Sequence, residues 1–200
     1  SPQLLYALQE GRSKEGDPAA SFGTLLEQQD LVLELDRLIY WSNWITPAFF
    51  PKRFDTRFFV VAVPESQRAA VDSAESQEAR WLPLLNSAQA PTVDPPITSA
   101  PTLYTLREIA REFQRCGSLE TMLQTTPQHA VAQVMIKMVK QGDSLLALLP
   151  WDADYAAAPG TGVVCDDHLT KRYGEFPSRV QVDPTTRLNS MQRQELHFAE

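Results

Sequence analysis

Charged side chains that could do chemistry stand on either side of one apolar run, residues 56–63. Arg53 and Asp55 precede the run, and Glu75 and Glu78 lie in the acidic segment that follows it. A guanidinium can bind phosphate oxygens, and a carboxylate can act on water that it reaches directly or through a metal ion. Structural roles are open as well. Arg53 can pair with a carboxylate and Asp55 can accept hydrogen bonds from loop amides, and the two glutamates can form an exposed acidic loop.

The composition predicts a globular domain and argues against some classes of function. The chain of 200 residues has 43% apolar and 22% charged residues, which predicts one globular domain and not a disordered segment. Its net charge of -7 at pH 7 argues against a nucleic-acid or anionic-membrane surface. No apolar run approaches the roughly 20 residues of a membrane helix, and no signal-peptide pattern precedes the first apolar segment.

Several common catalytic and metal-binding motifs are missing. Cys116 and Cys165 form no CxxC pair, and the three histidines add no zinc-ligand spacing. The residue order supports no Ser/His/Asp or Cys/His triad, and the eight glycines form no phosphate-binding loop. Two unpaired thiols are typical of cytoplasmic proteins, so the cytoplasm is the predicted location.

The elements that must position the charged residues are strands near residue 50. Residues 38–46 are aromatic and β-branched, and residues 56–63 are almost wholly apolar, so both are predicted strands, the second buried on both faces. Prolines confine residues 47–52 to a loop between them. We also predict a helix at 19–29 and a shorter third strand or bend at 79–85.

The second half of the chain is predicted to be mainly helical. After a proline-rich loop, Thr102 caps a helix that Gly117 ends, and Ser118 caps a further helical turn. The other predicted elements are a short strand or helix end at 30–36, a helix at 127–140, a strand at 144–150, an edge strand at 178–182 and a helix over the last dozen residues. Few strands with segregated helices indicate an α+β fold.

Some charged and aromatic residues are predicted to be structural. Residues 107–112 (REIARE) are expected to form an amphipathic surface helix on which Glu108 and Glu112 repel each other. The remaining predictions of this kind are turn chemistry for Asp152 and Asp154, a solvated pair for Lys171 and Arg172, and core packing for Trp41, Trp44, Phe49 and Phe50.

Residues 44–85 carry a resemblance to a known family. They contain a W-x-T-P segment starting at Trp44, then R-F-D-T-x-F-F starting at Arg53, then an acidic loop that runs into a W-L-P bend. In this order and spacing the segments resemble the Nudix hydrolases, within them the coenzyme A diphosphatase-like branch. A later LPWDADY segment at 149–155, followed by PGTG, is similar to the tail of that branch, so the resemblance covers about residues 19–162.

The resemblance implies a fold and an organisation. The fold would be part of a Nudix-like α/β/α sandwich with a mixed sheet and a helical C-terminal extension. Within a single domain, residues 1–37 would be a helical lead-in, residues 38–85 the core strands and residues 86–200 the helical extension.

The resemblance also implies an activity. Members of this branch hydrolyse a diphosphate linkage in coenzyme A, acyl-coenzyme A or a related nucleoside diphosphate derivative, by metal-assisted attack of water with Mg²⁺ or Mn²⁺. It assigns Glu75 to the attacking water or the metal, Glu78 to the metal as a weaker ligand, and Arg53 and Asp55 to the substrate. Neither a nucleic acid nor a membrane is an expected partner.

One departure from the family bears on catalysis. The glutamate-bearing Nudix box should precede Trp44, and no residues upstream of it spell the box. The first residue is Ser1, which fits a chain whose first part is absent, so we expect the chain alone to be inactive. A non-catalytic ligand-binding or protein-interaction module is the alternative, and an unrelated α+β domain is a third possibility. Because an incomplete sandwich exposes sheet edges, a homo-oligomer is also expected.

Overall fold

The computed structural model describes residues 18–48, 50–64, 100–125, 131, 133–142, 144–182 and 196–198. These residues fall into two compact units. The smaller unit contains the described residues up to 38 together with 62–64. The larger unit contains residues 39–61 and the described residues from 100 onward, and it includes both β-sheets.

The smaller unit begins with helix α1, Pro18–Gln28, which confirms the helix predicted at 19–29. Asp30 takes a left-handed conformation (φ 51°) just after the helix. Residues 31–34 form neither a helix nor a paired strand, and a 3₁₀ turn follows at Leu35–Arg37. Arg37 pairs with Glu34 in this turn at 2.7 Å.

A three-stranded mixed sheet opens the larger unit. Its strands are β1 (Ile39–Ile45), β2 (Asp55–Val60) and β3 (Gln133–Met135), in the order β2-β1-β3. β1 is antiparallel to β2 and parallel to β3. The two strands predicted around the 47–52 loop are therefore confirmed.

Burial of β2 on both faces was expected, and this expectation is wrong. Phe58 and Val60 pack against the core, but Phe59 on the opposite face is 51% exposed. Side chains alternate between the two faces of a strand, and among the described residues the core clusters cover only the face of β2 that carries Phe58 and Val60. Phe59 instead stacks on Tyr40 of β1, with ring centroids 5.2 Å apart.

A four-stranded antiparallel sheet follows. Its strands are β4 (Lys137–Gln141), β5 (Ser144–Leu148), β6 (Arg179–Val182) and β7 (Leu196–Phe198), paired in that order. The strand predicted at 144–150 is confirmed. The strand predicted at 178–182 exists, but it lies between two neighbours and not at an edge. The described residues of the predicted terminal helix form β7.

The helix predicted at 127–140 is wrong for the residues described there. These residues form β3 and β4, which only Ile136 separates. Gly142, with φ at 61°, takes the left-handed conformation that the tight β4–β5 turn requires. The spacing of apolar residues in this segment fits both the period of a helix and the period of a strand. The segment forms strands because it pairs with β1 and β5.

The described residues of the larger unit include three helices: α2 (Ala100–Cys116), α3 (Leu119–Thr125) and α4 (Asp167–Tyr173). α2 begins two residues before its predicted cap and ends at Gly117 (φ 72°), as predicted. The predicted cap of α3 is confirmed, since Ser118 Oγ accepts from the Thr121 N–H at 3.1 Å. Asp166 caps α4 through the Leu169 N–H.

The main core is aromatic and joins the two sheets. Trp44 and Val134 from the mixed sheet pack with Val180 from the antiparallel sheet and with Tyr104 and Tyr173 from the helices. A second cluster holds Ile39, Trp41 and Met122. Core packing is thus confirmed for both tryptophans of β1.

The α+β class is confirmed. The part after residue 86 carries helices α2 to α4 and strands β3 to β7, so it is helical only in part. The third strand or bend predicted at 79–85 lies outside the described residues. In the described part of the chain, no helix is long and apolar enough to cross a membrane.

Candidate functional site

Two predicted site residues, Arg53 and Asp55, lie where the β1–β2 hairpin closes. Thr46 follows β1, and its N–H donates to the Phe54 carbonyl at 2.9 Å while its Oγ1 accepts from the Phe54 N–H at 3.0 Å. Arg53 Nε donates to the Thr46 carbonyl at 3.0 Å. Arg53 is exposed and a guanidinium has five N–H donors, so it retains donors for a ligand.

The same hairpin end is locally basic. Lys52, Arg53 and Arg57 are all exposed, although the whole chain is acidic. Lys52 Nζ lies 5.1 Å from the centroid of the Phe54 ring, and Arg57 makes no ion pair to any described residue. Exposed ammonium and guanidinium groups suit a phosphate or another anion.

Asp55 is the second predicted residue at this end, and Asn43 holds it. Asp55 is exposed at the start of β2, and its Oδ1 accepts a short hydrogen bond from Asn43 Nδ2. Asn43 is only 1% exposed, and its Nδ2 also lies 3.4 Å from the Thr56 carbonyl. Since both neighbours are acceptors, the amide nitrogen must face them, and Asn43 Oδ1 has no hydrogen-bond partner within the described structure.

The described residues do not fit a divalent cation by themselves. Nowhere in the described ranges do three His, Cys, Asp or Glu side chains come together to hold a metal ion. Glu75 and Glu78 lie outside the described residues. Mg²⁺ requires near-octahedral oxygen coordination and Mn²⁺ favours oxygen ligands too, and Asp55 with Asn43 offers only one carboxylate and one amide.

Away from the hairpin, the helix that was expected on the surface carries a buried carboxylate. Glu108 is 2% exposed, and its Oε2 accepts from Trp41 Nε1 at 2.9 Å and from the Tyr173 hydroxyl at 2.7 Å. Arg172 forms an ion pair with Glu108 Oε1 and donates to the Trp41 carbonyl. We call these four residues the Glu108 network.

The Glu108 network corrects two predictions. Glu108 does not face water and does not repel Glu112, which instead pairs with Arg115 at 2.8 Å. Arg172 is not a solvated residue, since its side chain is 10% exposed. Burial raises the pKa of Glu108, against the opposing effect of Arg172 and of the hydrogen bonds from Tyr173 and Trp41. The network ties β1, α2 and α4 together and is a structural feature.

The predicted turn chemistry of the WDADY segment is confirmed. Asp152 Oδ1 accepts from the Asp154 N–H at 2.9 Å, and its two oxygens accept from Arg179 at 2.7 and 2.9 Å. Ser178 Oγ donates to the same carboxylate at 2.8 Å. Burial alone would raise the pKa of Asp152, but these hydrogen bonds outweigh it and lower that pKa.

A buried lysine anchors the turn that follows. Lys137 is 8% exposed, and its Nζ donates to the carbonyls of Tyr155 (2.9 Å) and Ala158 (2.8 Å). The Tyr155 hydroxyl donates to the Met135 carbonyl at 2.6 Å and accepts from the Val163 N–H at 3.1 Å. These bonds hold residues 155–163 against the junction of β3 and β4.

Sequence reasoning did not identify Asn43, Glu108 and Lys137 as buried polar residues. Glu108 was recognisable, because it lies four residues after buried Tyr104 and therefore on the same helix face. Lys137 was hidden by the wrong helix prediction. Asn43 stands among buried aromatic residues of β1, and strand alternation alone gives no sign that its amide meets Asp55.

Comparison with known proteins gives one partial similarity. "Putative nudix hydrolase 7" of Caenorhabditis elegans is 34% identical to this chain over 56 residues, which are 28% of the chain and 19% of that protein. The match thus spans about a fifth of that protein's length. No protein-family model and no solved structure matches the chain.

Proposed function

We propose that this chain serves a Nudix-type hydrolase that cleaves a diphosphate linkage, with coenzyme A, acyl-coenzyme A or a related nucleoside diphosphate derivative as substrate. The observation that carries the proposal is the partial similarity to a protein named as a nudix hydrolase. The exposed basic residues Lys52, Arg53 and Arg57 support it, because a diphosphate is an anion.

Each predicted site residue has a role in this proposal. Arg53 binds a phosphate oxygen, and Asp55, held by Asn43, accepts a hydrogen bond from a donor group of the substrate. Glu75 orients the attacking water or the metal, and Glu78 would be a weaker ligand of the metal. Mg²⁺ or Mn²⁺ would stabilise charge that develops at phosphorus, and the described residues by themselves form no ligand set for either ion.

Calorimetric titration with coenzyme A tests the substrate-binding part. Replacing Arg53 with methionine should raise the Kd by about one to two orders of magnitude, because a hydrogen bond to a charged group contributes roughly 1.5–3 kcal/mol. Lys171→Met is the matched control: it removes one exposed positive charge from α4 and should leave the Kd unchanged. Absence of measurable binding, or equal effects of the two substitutions, would contradict the proposal.

A hydrolysis assay tests the catalytic part. The chain alone should not release nucleotide from coenzyme A above background with Mg²⁺ or Mn²⁺, because the Nudix box is absent from its sequence. Turnover that survives repurification and disappears on Glu75→Gln substitution would show this expectation to be wrong. It would also support the role proposed for Glu75.

A non-catalytic binding module is the second candidate. The observation that favours it is that Arg53 and Asp55 both have partners within the hairpin, Thr46 and Asn43 respectively. A purely structural Arg53 predicts that Arg53→Met lowers the melting temperature without changing coenzyme A affinity. A substrate-binding Arg53 predicts the reverse.

We also propose that the protein is located in the cytoplasm. Both cysteines, Cys116 and Cys165, are free thiols in the structure, as is usual in a reducing compartment. Cell fractionation followed by thiol labelling tests this. Recovery of the protein in an oxidising compartment, with both thiols blocked, would refute it.

A further inference from the structure

The outer side of β2 is an open sheet edge. β2 is the first strand of the three-stranded sheet, and within the described structure its other side pairs with no strand. Asp55, Thr56, Arg57 and Phe59 are all exposed along it. An exposed edge presents unpaired backbone N–H and C=O groups, which favour pairing with a further strand.

The register identifies which backbone groups point outward. The Thr46 N–H bonds to the Phe54 carbonyl, so residues 46 and 54 form a hydrogen-bonded pair. Hydrogen-bonded and non-hydrogen-bonded pairs alternate along an antiparallel ladder. Asp55, opposite Ile45, Arg57, opposite Asn43, and Phe59, opposite Tyr40, are therefore the residues of β2 whose backbone groups face the open edge, and the first two are charged.

The side chains of these two residues are opposite in charge and share one face of the strand. They do not pair with each other or with another described charge, since Asp55 accepts only from the neutral Asn43 and Arg57 has no ion pair among the described residues. Two copies of β2 that run antiparallel through a two-fold axis can meet in several registers. Among registers that pair residues of β2 with one another, only the register that places Asp55 of one copy opposite Arg57 of the other forms unlike pairs, and it forms them twice.

The neighbouring registers are unfavourable. A shift of two residues one way places Asp55 opposite Asp55, and a shift the other way places Arg57 opposite Arg57. Like charges directly opposite each other destabilise a strand pair, whereas unlike charges stabilise it. The favoured register also sets Phe59, which is 51% exposed and stacked on Tyr40, opposite the exposed Arg53 of the second copy.

We propose that two copies of this chain associate through antiparallel pairing of their β2 strands, with Asp55 of each copy opposite Arg57 of the other. The two three-stranded sheets then form one continuous six-stranded sheet across the two-fold axis. This inference does not depend on the proposed hydrolase function, and it is measured by association and not by turnover.

Charge-reversal variants of the full chain test the proposal in sedimentation-velocity experiments over a concentration series. The unmodified chain should form dimers. Asp55→Arg alone and Arg57→Asp alone should each raise the dimer Kd by about tenfold or more, because every attractive pair becomes repulsive. An equimolar mixture of the two variants should form heterodimers of near-original affinity, since each chain then carries the charges that complement the other.

A control variant and a second measurement separate the effect on the interface from a general effect of the substitutions. Lys171→Asp makes the same change in net charge as Arg57→Asp, on exposed residue 171 of α4, and should leave the dimer Kd unchanged. Hydrogen exchange of the unmodified chain should show the Asp55 and Arg57 amides becoming more protected as the concentration rises. A chain that is monomeric at every concentration, a dimer insensitive to either reversal, or a mixture that fails to restore association would each overturn the proposal. Protection of this edge only by a different protein would overturn it as well.

Discussion

Replacing Glu108 with leucine removes the acceptor that three buried donors share. The change leaves the Arg172 guanidinium buried beside the Trp41 carbonyl, and it removes the carboxylate oxygen to which Trp41 Nε1 and the Tyr173 hydroxyl donate. Removing one partner of a buried ion pair costs about 3–5 kcal/mol. Glu108→Gln keeps the shape but loses the charge, so it should cost about 1.5–3 kcal/mol.

Urea denaturation at neutral pH, followed by tryptophan fluorescence and circular dichroism, measures these costs. Glu112→Leu is the matched control one turn along the same helix: its partner Arg115 is 58% exposed, so the cost should stay below about 1 kcal/mol. The double variant Glu108→Leu/Arg172→Met should be more stable than the sum of its single variants predicts. If Glu108→Leu costs no more than Glu112→Leu, then Glu108 lies on a solvated helix face and the buried network is wrong.

The same denaturation assay tests four further substitutions. Phe59→Ala should cost about 1 kcal/mol or less, because its ring is 51% exposed, and Phe58→Ala should cost more because that ring packs on the core. Gly162→Ala should cost about 1–3 kcal/mol, because the new Cβ would lie 2.6 Å from the Tyr155 hydroxyl oxygen. The pKa of Asp152 is lowered in the folded state, so its ionised carboxylate stabilises the fold above the ordinary Asp pKa. This stabilisation is lost as the pH falls through the folded-state pKa. Asp152→Asn should therefore reduce the loss of stability that acid causes below about pH 4. Equal losses of stability for Phe58→Ala and Phe59→Ala would contradict the first prediction, and unchanged stability of Gly162→Ala would contradict the second. The third would be contradicted if Asp152→Asn and the unmodified chain lost the same stability in acid.

Local signals in the sequence predicted the first half of the fold well. The β-branched and aromatic composition of β1 and β2, the prolines between them and the glycine after α2 act over a few residues, so the strands, the loop and the helix end followed from them. The segment at 133–140 was predicted wrongly because its apolar pattern fits either period. Its strand state depends on β1 and β5, which lie far away in the chain.

The candidate site was predictable only in part. Arg53 and Asp55 lie at one hairpin end because only Phe54 separates them in the sequence. The contact of Asp55 with Asn43 depends on the antiparallel register, in which Asn43 stands opposite Arg57, and no local pattern determines that register. The burial of Glu108 depends likewise on Arg172, which is 64 residues away along the chain.

The single residue between β3 and β4 has a consequence for how this unit opens. Because only Ile136 connects β3 to β4, these two strands cannot move apart unless β3 loses its pairing with β1 or β4 loses its pairing with β5. Trp44, Val134 and Val180 also share one core across this connection. The two sheets should therefore behave as one cooperative folding unit, in which the slowest-exchanging amides of β1 and β5 report the same opening free energy.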